Sequence, residues 1–113
     1  MPLRYLFPRM RNPGQELNLQ DRVWRVPATS QLSTRTFGEQ HVVFHSASGD
    51  THLLDQISFT GLLCLQEEPL GREQLALRLS HRLGLPCDEE LRQYARKLLV
   101  RFDRLGLVEP VEE

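Results

Sequence analysis

The 113-residue chain has one lysine, one tryptophan and two cysteines, and it has no long apolar run. Each scarcity excludes a class. No stretch approaches the ~18 consecutive apolar residues of a membrane helix. The opening Met1-Pro2-Leu3-Arg4-Tyr5-Leu6-Phe7 is too broken by Arg and Pro to serve as a signal peptide. Cys64 and Cys87 stand 23 positions apart with no Cys-x-x-Cys, so there is neither a zinc pattern nor a disulfide framework. Reduced thiols in a cytoplasmic protein are expected. There is no Gly-rich phosphate loop, and no Ser or Cys sits in a nucleophile elbow. An enzyme is therefore not expected, and no cofactor is implied.

What remains is ordinary for one globular domain: 40% apolar and 26% charged residues, with a net charge of −1. Such a total does not demand nucleic acid or an anionic membrane. The distribution is less even. Thirteen of the 14 basic residues are Arg, and Lys97 is the exception. Arg suits planar, bidentate contacts to carboxylates and phosphates, although a G- and C-rich genome gives the same bias.

Residues 1–21 carry no lasting periodicity and are punctuated by Pro2, Pro8 and Asn12-Pro13-Gly14. They read as an arm or an early hairpin. Leu3, Tyr5, Leu6 and Phe7 make the arm a candidate for docking on this chain or on a second copy. Val23–Val26 alternates and is β-branched and aromatic, which predicts a strand ended by Pro27. Residues 28–39 read as a long connection, with room for a short strand near Thr36-Phe37. A second strand is expected over 41–46 and a third over 51–54, joined at Ser48-Gly49. That turn pairs His45 with His52 and Phe44 with Leu53, with Leu53 and Leu54 toward the core and His52 facing away. If 41–46 is central, Thr51–Leu54 is an edge whose backbone can pair with another chain.

Asp55 is a candidate N-cap for a helix over 56–66, with Ile57, Gly61, Cys64 and Leu65 as its apolar stripe. A second helix over 72–83 buries Leu75, Ala76, Leu79 and Leu83, and Gly84 and Pro86 stop it. The third, over 88–105, opens on Asp88-Glu89-Glu90, where the macrodipole favours negative charge. Leu91, Ala95, Leu98, Phe102 and Leu105 share one face. Gly106 fits the C′ position, and Leu107 can fold back on Phe102. The expected fold class is α+β and winged-helix-like, with a small antiparallel sheet of about three strands followed by three helices. Its domain spans 22–109, with an acidic tail over 110–113.

Two constellations invite chemistry. A cross-strand His45–His52 pair could chelate a metal if a third ligand came near, but His41 lies ~13 Å along the strand from His45. A polar pair on the open sheet face is the simpler account. The third helix has two cationic flanks beside its apolar stripe. Tyr94, Lys97, Arg101 and Arg104 lie on one, and Arg92, Arg96 and Leu99 on the other. Either flank alone is accounted for as a solvated rim; Tyr94 tips the choice toward the first.

The residues Trp24-Arg25-Val26, Val42-Val43-Phe44, Ser48–Asp55, Glu73-Gln74-Leu75-Ala76 and Leu105-Gly106-Leu107-Val108-Glu109 occur in an order and spacing that resemble the PqqD-like family. The chain looks closest to the PqqD-family peptide chaperones of HPr-kinase-related systems. The resemblance spans about residues 22–109. It implies a three-stranded sheet with three helices, and binding rather than catalysis. A precursor peptide's leader would add as a strand beside Thr51, His52, Leu53 and Leu54. It would lie against a wall drawn from Tyr94, Lys97, Leu98 and Arg101. The implied partners are that leader peptide and a peptide-modifying enzyme, an HPr-kinase-related protein among the candidates. A homodimer through the N-terminal arm is a further candidate. The competing reading is a winged-helix DNA-binding protein with the third helix as recognition helix. Overall neutrality and the acidic first turn argue against it.

Overall fold

The computed structural model describes residues 22–111. In chain order these form β1 (Trp24–Arg25), β2 (Leu32–Phe37), β3 (Gln40–His45) and β4 (Asp50–Leu54). Then come α1 (Gln56–Glu67), α2 (Arg72–Leu83), α3 (Glu89–Arg104) and β5 (Glu109–Pro110). The architecture is α+β: a three-stranded antiparallel sheet ordered β2-β3-β4, a two-stranded sheet β1-β5, and three helices. The expected arm over 1–21 lies outside the described residues.

The helices form where the sequence places them, because their ends are chemically marked. The Asp55 carboxylate accepts the Ser58 N–H at 2.8 Å, and the Asp88 carboxylate accepts the Leu91 N–H at 3.0 Å. Each satisfies one of the amides that a helix start leaves open. Gly84 and Gly106 adopt φ of 69° and 77°, and the Leu107 N–H reaches the Phe102 carbonyl at 2.9 Å, closing α3 in a Schellman turn.

The strands require two corrections. Trp24–Arg25 is not part of the main sheet. It pairs with Glu109–Pro110 and bridges to Leu70, tying both ends of the domain to the α1–α2 connection. The Arg25 guanidinium donates to the Glu109 carboxylate at 2.8 Å, and the Val111 N–H donates to the Val23 carbonyl. Pro110, assigned by sequence to an acidic tail, thus lies in a strand. The missing third strand is Leu32-Ser33-Thr34-Arg35-Thr36-Phe37, in the segment read as a connection. Its polar, β-branched side chains are mostly exposed, so it lacks the apolar alternation that marks a half-buried strand. Pairing along the whole of β3 holds it instead.

One core joins sheet and helices. Val43 and Leu54 enter it from the sheet. Leu62, Cys64 and Leu65 come from α1, Leu75, Ala76 and Leu79 from α2, and Leu91, Ala95, Leu98, Leu99 and Phe102 from α3. Leu70, Leu107 and Val108 close it from the connections. The three helices converge on Gly61. A Cβ there would lie 2.7 Å from Leu98 Cδ2 and 3.9 Å from a methyl of both Leu75 and Leu79. Two exposed ion pairs, Arg82–Glu67 at 2.5 Å and Arg78–Glu68, join α2 to the end of α1. Exposed pairs of this kind contribute little stability.

Candidate functional site

β3 is central, so β4 is an edge. Its backbone pairs with β3 on one side, and among the described residues no strand lies on the other. The hairpin that delivers it has a four-residue loop, Ser46–Gly49, closed by the Gly49 N–H on the His45 carbonyl at 2.8 Å. Gly49 takes φ of 81°, a region that disfavours side chains with a Cβ. The loop puts His45 opposite Asp50, His52 opposite Val43, and Thr51 opposite Phe44. The expected His45–His52 and Phe44–Leu53 pairs are therefore slipped by two residues.

Alternation then sorts the β4 side chains. Leu54 is 1% exposed, sharing the core face with Val43, and His52 lies on that same inner face. Thr51 and Leu53 point the other way, and Leu53 is 55% exposed. This reverses two expectations. Leu53 does not reach the core, and His52 does not face away from it. The outer sheet face carries Val42, Phe44 and Leu53 on adjacent strands. Phe44 and Leu53 are exposed there.

The two histidines of β3 are structural. The His41 ring stacks on Phe59 of α1 at 4.0 Å and 7°. Its two nitrogens are hydrogen-bonded to Thr36 Oγ1 and Gln56 Oε1, each at 2.9 Å. His45 is held by Ser48 Oγ at 2.8 Å and Ser30 Oγ at 3.3 Å. No group of three His, Cys, Asp or Glu among the described residues could hold a metal. Cys64 is buried in α1, and burial pushes its thiol up from the ordinary range, away from the reactive thiolate. His52 differs from the other two strand histidines. Its Nε2 is buried and has no hydrogen-bond partner among the described residues.

α1 begins one residue after β4, and α3 crosses that junction with its Tyr94 flank. Tyr94 Oη lies 3.3 Å from Ser58 Oγ in the first turn of α1. Leu98 sits under Gly61. The Arg101 charge reaches Asp55. The Asp55 carboxyl is held below its ordinary range, first by the Ser58 backbone N–H and then by the Ser58 hydroxyl and Arg101, with partial burial opposing. Lys97 and Arg101 are exposed on this flank. On the opposite flank Arg92 pairs with Glu89 at 3.2 Å, while Leu99 is buried in the core.

The eight residues singled out by sequence thus divide. Tyr94 and Arg101 meet the β4–α1 junction at Ser58 and Asp55, Lys97 is exposed on the same flank, His52 is on the inner face of β4, and Thr51 is exposed on its outer face. Leu54 and Leu98 are core, at 1% and 3% exposed. Leu53 lies on the far sheet face. The sequence reading missed a hollow of about 260 Å³ at the start of α3, lined by Ile57, Leu85, Pro86, Leu91, Tyr94 and Glu90. Its one signal is the apolar Leu85-Pro86 pair, which reads first as a helix stop.

No family model matches the chain, and no curated protein sequence matches it. Among solved structures its fold is similar to that of TbiB1 in complex with the TbiA(beta) leader peptide. The TM-score is 0.59 at 13% sequence identity, over 79% of this chain and 99% of that one. The small sheet and three helices described here are therefore a fold shared with a protein solved with a leader peptide bound.

Proposed function

We propose that the chain is a non-catalytic peptide-binding module, a PqqD-like chaperone that takes a precursor's leader as an added strand on β4. The observation that carries this reading is the open edge of β4, which runs through Asp55 into the start of α1, where the Tyr94–Arg101 flank of α3 is met. Main-chain hydrogen bonds to Thr51–Leu54 supply affinity, and side-chain contacts between strand and helix supply specificity. Tyr94, Lys97 and Arg101 form the helical wall, with Leu54 and Leu98 fixing its position from the core. The likeness to a leader-peptide complex supports the same reading. The bound leader is presented to a modifying enzyme, an HPr-kinase-related protein being the candidate, in the cytoplasm. Residues 1–21 are the candidate element for self-association.

The winged-helix DNA reading has less support. The start of α3, which a recognition helix turns toward bases, carries Glu89 and Glu90 in its first turn and Asp88 as its N-cap. Calorimetric titration with peptides encoded by short reading frames beside the gene tests the proposal. Saturable binding with one peptide per chain supports it. Absence of peptide binding, with duplex affinity falling steeply with salt, would replace it with the DNA reading.

A further inference from the structure

Resting on the peptide-binding reading, we infer that His52 selects the ligand by hydrogen-bonding a carboxylate side chain of the strand that pairs with β4. Three observations converge on this. First, His52 Nε2 is a buried side-chain nitrogen without a partner among the described residues, whereas both ring nitrogens of His41 and of His45 are engaged. A buried polar atom left unpaired opposes folding, so a ligand group that hydrogen-bonds it gains free energy on binding. Second, pairing with Val43 puts His52 on the helix-facing side of the edge strand. In an added antiparallel strand, the residue directly opposite points to the same side, with Cβ atoms ~5 Å apart. A ligand side chain there enters the cleft next to the imidazole. Third, two cations stand on the α3 flank, and only one of them is shared with the Asp55 carboxylate. Lys97 and Arg101 are exposed on the α3 flank, and Arg101 acts on Asp55 at the end of β4.

An acidic side chain at the position opposite His52 satisfies both conditions. Its oxygen accepts from the Nε2–H tautomer, and its charge is complemented by the α3 cations. A neutral amide satisfies the hydrogen bond alone, and an aliphatic side chain satisfies neither. Ligands of this module should therefore carry Asp or Glu at one fixed inward position. The requirement belongs to His52 rather than to the cationic flank alone.

The test is selection from a displayed library of random 12-residue peptides against the full chain and against His52→Phe. The second measurement is the side-chain ¹⁵N spectrum of His52 with the best selected peptide. Wild-type selections are expected to fix Asp or Glu at one position, and replacing that residue by Leu should weaken binding about tenfold or more. The His52→Phe selections should lose the acidic position while keeping the apolar ones. On binding, the Nε2 resonance should move to a hydrogen-bonded N–H value, which a structural histidine would not do. An acidic preference that survives His52→Phe, or an unmoved Nε2 resonance, overturns the role of His52 while leaving strand addition standing. Failure of the unsubstituted chain to enrich any peptide overturns the peptide-binding reading itself. If His52→Phe does not fold, His52→Leu serves in its place, with the same loss of the acidic position expected.

Discussion

Gly61 and Leu98 meet where α1 crosses α3, so closely that a Cβ on Gly61 would lie 2.7 Å from Leu98 Cδ2. The absent side chain lets α3 press its Tyr94 flank toward the start of α1. Gly61→Ala gains helix propensity of about 1 kcal/mol but overpacks a site where Leu98 is almost fully buried, at about 1–3 kcal/mol. Leu98→Ala should cost about 2–5 kcal/mol as a buried large-to-small change. Because the smaller side chain makes room for the new methyl, the double variant should cost less than the sum of the two by about 1 kcal/mol. Urea melts of the four proteins decide. Additivity, or a Leu98→Ala loss below about 1 kcal/mol, would contradict the crossing.

The sorting of β4 side chains can be checked by a neighbouring pair. Leu53→Thr replaces an outward residue with another strand former, and should change stability by no more than about 0.5 kcal/mol. Leu54→Ala empties a core position and should cost about 2–5 kcal/mol. The reverse order in denaturant melts would mean that the strand is slipped by one residue.

Asp55 connects the edge strand to α1, and its titration is readable. Its carboxyl is held below the ordinary value of about 3.9, so its stabilisation is complete above that value. The contribution is lost as pH falls through the lower folded-state pKa. Asp55→Ala should cost about 0.5–2 kcal/mol at neutral pH as a lost cap. Stability curves of the two proteins against pH should converge on the acid side. A gap that persists unchanged below pH ~2 would show that the carboxylate is not the source.

The cationic flank should matter for binding and not for folding. Lys97→Glu with Arg101→Glu reverses two exposed charges and leaves Leu98 and Phe102 in place. Stability should change by no more than about 1 kcal/mol, while affinity for a cognate peptide should fall by about 1–3 kcal/mol. Unchanged affinity in calorimetry would make this flank a solvated rim.

The helices were legible because their signals are local. Asp55 and Asp88 cap, Gly84 and Gly106 terminate, and Leu91, Ala95, Leu98 and Phe102 repeat at helical spacing. The edge character of Thr51–Leu54 was legible for a similar reason, since no later segment adds a strand to that sheet. Register was not. Ser48-Gly49 fits a two-residue turn as well as the end of a four-residue loop, and only the packing of Val43 and Leu54 on the helices chooses. The inward face is a separate choice, because a two-residue slip leaves each side chain on its own face. His52 and Leu53 exchanged roles because His41, Val43 and His45, rather than Val42 and Phe44, turn toward the helices. β2 was hidden because Ser33, Thr34, Arg35 and Thr36 bury little, and its pairing energy comes from β3, a non-local partner. The hollow beside Tyr94 was hidden because Ile57, Leu85 and Leu91 are far apart in sequence.

Strand addition to β4 is most directly tested by amide hydrogen exchange of the chain with and without a selected or encoded peptide. The account predicts that alternate amides within Thr51–Leu54, those pointing away from β3, slow by at least about tenfold on binding. Amides of the opposite edge, Leu32–Phe37, should stay unchanged. Protection that appears on β2, or only on α3, with β4 exchanging as before, would contradict it.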